Sequence, residues 1–185
     1  RGDNWTIIAP DLTTNDTSKQ KQGLSGGLTY DVTTAENHTT IISISPSQVN
    51  KNIIWAGTDD GNIQLTTDGG NLWKNTIQSF KTLPNNLWIA RIIPSAFIES
   101  EAYVVANNYR LGDDTPYLLY TNDYGKTWVN ILQDKNIWGH TLSFVQDSKE
   151  PRLMFLGTEF GLYLSINNGK DWTKWNEGYP SVSTI

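Results

Sequence analysis

Cysteine is absent from this chain of 185 residues, and its absence excludes three classes of site. There is no disulfide framework, no thiolate metal centre and no cysteine nucleophile, although the cellular compartment stays open. Histidine is nearly as scarce, since His38 and His140 are the only two. The sequence also contains no Ser/His/Asp set, no phosphate-binding loop and no His-rich metal motif.

Basic residues and long apolar runs are also few. The 14 lysines and arginines are outnumbered by 19 acidic residues, which gives a net charge of −5 and a pI near 4.9. No basic stripe exists to neutralise phosphates, so we predict no nucleic-acid partner. No run approaches the ~18 apolar residues of a transmembrane helix, so we also predict no membrane span. A signal peptide is not seen, but the chain begins inside a motif, so any signal would lie upstream.

Helical periodicity is missing as well. No window of ~11 residues places apolar side chains at helical spacing. The chain is instead rich in threonine, asparagine, glycine and tryptophan, with 15 glycines and 8 tryptophans. This composition is typical of β-strands joined by tight turns.

One sequence pattern occurs three times. A hydroxyl residue is followed after two positions by Asp or Asn, after two more by Gly, and after three more by Trp. The copies are residues 66–73 (TTDGGNLW), 121–128 (TNDYGKTW) and 165–172 (SINNGKDW). Residues 1–5 (RGDNW) match the second half of the pattern, so we expect the chain to begin inside a fourth copy, with a strand at residues 5–8.

Each copy is flanked by short β-prone runs, which indicates that it forms the turn of a β-hairpin. The Asp side chain can accept hydrogen bonds from backbone N–H groups of its own turn, and Gly supplies left-handed backbone. The Trp folds back to cover the hairpin. Because a repeated device cannot mark one active site, we interpret these positions as structural: Thr66, Asp68, Gly70, Trp73, Thr121, Asp123, Gly125, Trp128, Ser165, Asn167, Gly169 and Trp172.

The spacing of the β-prone runs predicts the architecture. Four short strands recur in each repeat of about 45 residues, which is typical of β-propeller blades. We predict an all-β fold: about three four-stranded antiparallel blades, at residues 40–80, 81–135 and 136–185. Residues 1–39 would supply the last strand of a preceding blade and a long inter-blade segment. Because a propeller closes with about four to eight blades, we expect the remaining blades in a longer polypeptide or another chain.

The repeated pattern resembles the Asp-box, or bacterial neuraminidase (BNR), repeat of sialidases, sortilin-type receptor domains and many secreted bacterial propellers. Four further stretches are similar to BNR-like repeat proteins of bacterial cell envelopes: residues 55–61 (WAGTDDG), 106–111 (ANNYRL), 116–118 (PYL) and 157–163 (GTEFGLY). The third copy departs from the pattern, because Asn167 replaces Asp and keeps an acceptor without the charge. The resemblance implies a propeller of a secreted, periplasmic or cell-surface bacterial protein.

Because successive strands of a blade run in opposite directions, the candidate ligand-binding residues are expected on one face. In an up-and-down blade, the turns between strands 2 and 3 lie opposite the repeated turns, and loops on a rigid scaffold are where binding residues concentrate. The longest such turn, residues 107–115, offers amide, phenol, guanidinium and carboxylate groups that suit sugar or peptide recognition. The candidates are Asn107, Asn108, Tyr109, Arg110, Asp113, Asp59, Asp60 and Glu159.

Structural alternatives exist for the longest turn and for two tryptophans near it. Arg110 can instead pair with Asp113 or Asp114 and only stiffen the loop. Trp88 and Trp138 stand just before inner strands, where a tryptophan either stacks on a sugar or packs between blades. We expect packing for both.

The acidic candidates also have two interpretations. Asp59, Asp60 and Glu159 can hold calcium or form an acid/base pair, or they can only satisfy backbone donors beside a turn glycine. We predict no resident cofactor or metal, with calcium as the alternative.

Catalysis by a sialidase would need three arginines on one carboxylate, a Tyr–Glu nucleophile pair and an Asp. The four arginines of this chain lie in contexts that do not match those motifs: Arg1, Arg91, Arg110 and Arg152. We therefore predict a non-catalytic scaffold or binding module that recognises protein or glycan on the face of the 2–3 turns. The alternative is part of a glycoside hydrolase whose catalytic residues lie partly outside this chain.

Overall fold

The computed structural model describes residues 2–20, 38–80, 83–84, 87–133 and 135–185. Within these ranges the regular structure is short strands and two 3-10 turns, at Ile77–Ser79 and Tyr109–Leu111. No helix in the described ranges is long and apolar enough to span a membrane. The strands are β1 (Ile41–Pro46), β2 (Ile54–Thr58), β3 (Ile63–Thr66), β4 (Lys74–Asn75), β5 (Trp88–Pro94), β6 (Ala102–Asn108), β7 (Asp113–Thr121), β8 (Val129–Asn130), β9 (Thr141–Gln146), β10 (Met154–Thr158), β11 (Gly161–Ser165) and β12 (Thr173–Lys174).

These strands form three four-stranded sheets, and each sheet is an antiparallel meander in chain order. The first sheet contains β1–β4, the second β5–β8 and the third β9–β12. This confirms the prediction of an all-β chain with three four-stranded antiparallel units. The outer strands β4, β8 and β12 have only two residues each, fewer than predicted, because the repeated turns extend through the residues before them.

The core lies between adjacent sheets, and β6 takes part in both layers. All seven residues of β6 are buried. Side chains alternate across a strand, so Val104 packs in the cluster with Trp55 between the first two sheets, whereas Val105 packs with Phe144 between the second and third. Because both faces of the second sheet are covered, every residue of its strand β6 is buried. Full burial of each large apolar side chain contributes about 1.5–3 kcal/mol.

The three repeated turns share one set of hydrogen bonds. In the second copy, Thr121 Oγ1 accepts from the Gly125 N–H (2.9 Å) and donates to Asp123 Oδ1 (2.9 Å). The same Oδ1 accepts from the Thr127 N–H (2.9 Å). The other copies form the equivalent bonds, at 2.8–3.1 Å, through Thr66, Asp68, Gly70 and Leu72 and through Ser165, Asn167, Gly169 and Asp171. In the third copy the amide of Asn167 also donates to Asp171 Oδ2 (2.8 Å).

The glycine of each repeated turn also brings neighbouring repeats into contact. Gly125 has a φ of +72°, and a Cβ at this position would lie 2.7 Å from Thr76 Cβ. Gly169 has a φ of +73°, and its Cβ would lie 3.0 Å from Ile131 Cδ1. Thr76 and Ile131 are each the third residue after the Trp of the preceding copy. Glycine is therefore required both by the backbone conformation and by the packing of one repeat on the next.

Residues 5–8 correct the prediction of a strand before the first blade. They form no strand, none of the twelve strands of the described ranges pairs with them, and Trp5 is 89% exposed. Ile8 nevertheless packs on Gly70, and its carbonyl accepts a hydrogen bond from Trp73 Nε1 (2.9 Å). Ile8 is the third residue after Trp5, so it has the same place against the next turn as Thr76 and Ile131.

We expect the two tryptophans of the first and second copies to differ in their effect on stability. Trp128 is 4% exposed and meets Trp55 edge-on, with ring centroids 5.8 Å apart, whereas Trp73 is only half-buried. Trp128→Ala should cost about 3–5 kcal/mol of the free energy of unfolding. Trp73→Ala should cost about 1–2 kcal/mol, because less apolar surface is lost. Chemical denaturation measures both, and equal losses would contradict the difference in burial.

The aspartates of the first two repeated turns titrate below their usual range. The Leu72 N–H and then the Thr66 hydroxyl lower the pKa of Asp68. Burial opposes the shift at Asp123, but hydrogen bonds from Thr127 and other groups of the turn outweigh it and lower the pKa. A pKa lowered by folding contributes stability that is present above the unfolded-state pKa of about 4 and is lost as the pH falls through the folded-state value.

We therefore expect acid to destabilise the native chain more than a variant without these two carboxylates. The double variant Asp68→Asn/Asp123→Asn should lose less of its melting temperature between about pH 5 and pH 3 than the native chain does. Thermal denaturation across this pH range tests the expectation. Parallel curves for the two proteins would show that the turn carboxylates do not contribute to acid sensitivity.

Candidate functional site

The turns between the second and third strands of each sheet lie at the end opposite the repeated turns, because successive strands of a meander reverse direction. They comprise residues 59–62, 109–112 and 159–160. We call this end of the sheets, together with the connections that enter β1, β5 and β9, the 2–3 face.

A stack of planar side chains dominates the 2–3 face. The Arg110 guanidinium carbon lies 3.7 Å from the centroid of the Trp88 ring and 4.8 Å from that of Tyr109. Tyr109 in turn stacks on His140, with centroids 4.7 Å apart and an interplanar angle of 21°. No carboxylate in the described ranges lies within ion-pair distance of Arg110, so the alternative of pairing with Asp113 or Asp114 is not realised. The cation is held by π-faces.

Asp113, a candidate in the same loop, faces inward and ties the β6–β7 hairpin together. Its carboxylate accepts hydrogen bonds from the Thr115 N–H (3.0 Å), the Tyr117 hydroxyl (2.8 Å) and the Asn108 amide (3.3 Å). Burial opposes the shift, but these bonds lower the pKa of Asp113. Burial and the bond to Asp113 raise the pKa of Tyr117 to about 12. Asp113 and Asn108 therefore organise the loop that presents Arg110.

A pocket of about 300 Å³ opens beside Arg110. Two of its polar atoms are buried and have no hydrogen-bond partner among the residues that the structure describes, Asn107 Oδ1 and His38 Nε2. Asn107 lies directly opposite Trp88 in the β5–β6 ladder, which places its amide next to the stack. The pocket is lined by Lys19, His38, Asp59, Trp88, Asn107, Asn108, Arg110 and Leu111.

Asp59 and Asp60 are adjacent in sequence but have different partners. Asp59 Oδ1 accepts from the Thr40 N–H (2.7 Å), and its Oδ2 lies 3.7 Å from His38 Nδ1 at the pocket wall. Asp60 is buried and turned away from the pocket, where its Oδ2 accepts from the backbone N–H and the hydroxyl of Thr14 (both 2.7 Å). Its other oxygen accepts from the Thr58 hydroxyl. Asp60 thus fastens the N-terminal segment to the first sheet.

Glu159 belongs to a third environment, so the three acidic candidates do not form one cluster. Its Oε2 lies 3.3 Å from His140 Nδ1, and Asp114 Oδ1 lies 4.0 Å from the same nitrogen. Among the described residues, this is the group of three side chains with metal-ligating chemistry. The calcium alternative, Asp59 with Asp60 and Glu159, does not come together as one group.

Sequence reasoning missed several residues of the face. His38, His140 and Asp114 were not proposed as site residues, and Trp138, expected to pack between blades, is 73% exposed. Equivalent positions in the first and third blades could have indicated that His140 belongs to this face. Asp59, the residue after β2, donates its backbone N–H to the carbonyl of Thr40, the residue before β1 (3.0 Å). In the third blade, Glu159 follows β10 in the same way and donates to the carbonyl of His140, the residue before β9 (3.2 Å). Aligning the repeats would have placed His140 beside Glu159.

No protein-family model matches the chain, and no curated protein matches it. Several solved structures are similar to the chain. YCF48 from Cyanidioschyzon merolae covers 72% of the chain with a TM-score of 0.52 and 24% identity, and YCF48 bound to D1 peptide covers 77% with a TM-score of 0.54 and 20% identity. An ancestral GH74 enzyme covers 76% with a TM-score of 0.57 and 18% identity.

The chain spans 36% and 43% of the two YCF48 chains and 19% of the GH74 chain. Similarity at these identities shows the fold alone. The chain has a β-propeller fold, and its three sheets are three four-stranded blades.

We expect Asp60→Ala to destabilise the chain and release its N-terminal segment. The variant leaves the Thr14 N–H and the Thr58 hydroxyl without their acceptor, at a cost of about 2–3 kcal/mol. Asp16→Ala is the control, because the partners of Asp16 among the described residues, Ser18 and Lys19, belong to its own turn. Hydrogen exchange of residues 11–14 and the melting temperature measure the effect. Unchanged exchange in Asp60→Ala would return Asp60 to the list of ligand-binding candidates.

Proposed function

We propose that the chain is part of a non-catalytic β-propeller binding module that holds a peptide segment of a partner protein on the 2–3 face. The observation that carries this proposal is Arg110, which is fixed against Trp88 and has no carboxylate partner in the described ranges.

We further propose that the repeated turns are Asp-box repeats and that the protein is secreted, periplasmic or on the cell surface of a bacterium. The shared pattern and its shared hydrogen bonds support the repeat assignment. The resemblance of the pattern to exported propellers supports the location.

Arg110 is preorganised for a carboxylate. A guanidinium already stacked on an indole loses little rotamer freedom when it binds, and its N–H edge stays available for two parallel hydrogen bonds. Peptides offer carboxylates at Asp, at Glu and at their C-termini. Trp, Tyr and Arg are also the residues that contribute most to hot spots of protein interfaces. The composition of the stack therefore favours a protein partner.

The pocket beside Arg110 favours a peptide over an oligosaccharide. Its volume of about 300 Å³ is at the lower end for small-molecule sites, so it fits a single side chain. The buried Asn107 Oδ1 lacks a donor among the described residues. A peptide N–H placed there would relieve an unsatisfied acceptor, a state that costs about 1–3 kcal/mol.

The same face exposes apolar side chains that suit contact with a protein. Leu111, Trp138 and Phe160 are all exposed, and all lie in the 2–3 turns or the connection to β9. YCF48, a propeller of similar fold, has been solved with D1 peptide bound, and this motivates a peptide as the first ligand class to test.

The glycoside hydrolase alternative is favoured by one observation, the fold shared with a GH74 enzyme. A fold does not carry a function with it. The carboxylates considered for acid/base chemistry are Asp59, Asp60 and Glu159. Asp60 is engaged by Thr14 and Thr58, Asp59 accepts from Thr40 and faces His38, and Glu159 faces His140. They lie in separate environments and do not form one acid/base pair, so we place this alternative second.

The test is a peptide array probed with the full chain, in which each sequence is present with a free C-terminal carboxylate and as an amide. Arg110→Ala should weaken binding to carboxylate-containing peptides about tenfold or more, equivalent to about 1.4 kcal/mol, while the melting temperature changes little. Arg152→Ala is the matched control, since Arg152 is an exposed arginine at the opposite end of the sheets that pairs with Glu150.

Equal binding by Arg110→Ala would remove this residue from the site. Release of reducing ends from a panel of soluble polysaccharides would favour the hydrolase instead.

A further inference from the structure

Two carboxylates and one imidazole converge where the second and third blades meet on the 2–3 face. Asp114 belongs to β7, His140 precedes β9, and Glu159 follows β10. One ligand atom from each residue lies within 4.8 Å of the other two. Three parts of the chain that are distant in sequence thus bring metal-ligating groups together.

His140 supplies an independent indication that these groups bind a ligand. It is 9% exposed, and its Nδ1 is fully buried with no hydrogen-bond partner among the residues that the structure describes. That nitrogen faces Glu159 Oε2 at 3.3 Å and Asp114 Oδ1 at 4.0 Å. A buried imidazole nitrogen without a hydrogen bond is costly, and a metal ion is one partner that its lone pair can satisfy.

The surroundings of His140 fix the direction of this nitrogen. Tyr109 stacks on one face of the ring, and the Glu159 N–H donates to the His140 carbonyl (3.2 Å). Gly139 has a φ of +79°, and a Cβ there would lie 3.0 Å from Glu159 Cβ and 2.8 Å from a ring carbon of Phe160. The glycine lets the 159–160 turn approach His140. The imidazole and Glu159 are therefore held in place by backbone contacts as well as by stacking.

The His140–Glu159 distance fits a small divalent ion, and the distance to Asp114 is longer. Ligand atoms bound tetrahedrally at about 2.0–2.2 Å lie about 3.3–3.6 Å apart. The His140–Glu159 separation of 3.3 Å already has this value, and the His140–Asp114 separation of 4.0 Å exceeds it by about half an ångström. The three ligand atoms lie within 4.8 Å of one another, so Asp114, whose side chain is 71% exposed, must move inward to complete the set.

We propose that Asp114, His140 and Glu159 form a binding site for a first-row divalent transition metal ion, with Zn²⁺ as the best match. Imidazole with carboxylate is a ligand set that Zn²⁺ and its neighbours accept, whereas calcium and magnesium take oxygen ligands. Three protein ligands leave the fourth tetrahedral position for water or for a ligand carboxylate. The site differs from the calcium alternative raised from the sequence in its residues and in its metal, and it does not rest on the proposed peptide function.

The test uses the full chain after dialysis against a chelator. Titration with ZnCl₂ in a calorimeter should show one saturable site, and Zn²⁺ should raise the melting temperature, because an ion that binds only the folded state stabilises it. Ca²⁺ and Mg²⁺ should not raise it. Co²⁺ should bind with the visible absorption of a tetrahedral complex.

Variants identify the ligands. Glu159→Gln and Asp114→Asn keep the shape of each side chain and should each weaken Zn²⁺ binding about tenfold or more. His38→Gln is the matched control, because it removes the one other histidine of the chain and should leave the titration unchanged. Arg110→Ala should also retain Zn²⁺ binding, which separates this proposal from the peptide site.

Absence of a saturable Zn²⁺ titration would overturn the proposal and leave His140 as an ion-pair partner of the two carboxylates. A titration that persists unchanged in Glu159→Gln and Asp114→Asn would overturn it as well, because the ion would then be bound elsewhere.

Discussion

The structure depends on a hydroxyl group that closes each repeated turn. Thr66, Thr121 and Ser165 accept a glycine N–H at 2.9 Å in all three copies, and the side chain two residues later completes the bridge. The outer strand that follows has only two residues and cannot be held by its own ladder. The turn therefore fixes the outer edge of each blade, and the glycine contact then sets the next blade against it. A single local interaction defines both the hairpin and the spacing of the repeats.

Fixing one end of the blades leaves the other end free to vary. The three 2–3 turns differ in chemistry, and the third is shorter than the other two. One carries two aspartates, one a 3-10 turn with Arg110, and one Glu159. The ends of β2, β6 and β10 still place these turns at equivalent positions, because the register of each sheet is set from the opposite end. Different side chains are thereby held close together on a rigid base. This division of labour suits a protein whose ligand chemistry lies in its loops.

The blades could be predicted from sequence because their determinants are local. Alternating apolar residues, turn glycines and the repeated pattern all act within about 10 residues of one another, so their spacing determines the strands. The loop containing Asn107 and Arg110 was found for the same reason. His38, Trp88 and His140 depend instead on how one blade packs on the next, which no local pattern encodes. The strand at residues 5–8 failed similarly, since pairing needs a partner that local sequence does not supply.

The ring stack joins the two proposed sites physically. Arg110 contacts Tyr109, Tyr109 contacts His140, and His140 faces Asp114 and Glu159. An ion that holds His140 would also restrict Tyr109, and a restricted Tyr109 presents Arg110 to a ligand with less entropy left to lose. Such coupling must be reciprocal, so a peptide bound at Arg110 would strengthen metal binding by the same factor. The size of that factor depends on how far Tyr109 moves without either ligand. A ring already fixed by packing has no conformational entropy left to lose when either ligand binds, so it cannot couple the two sites.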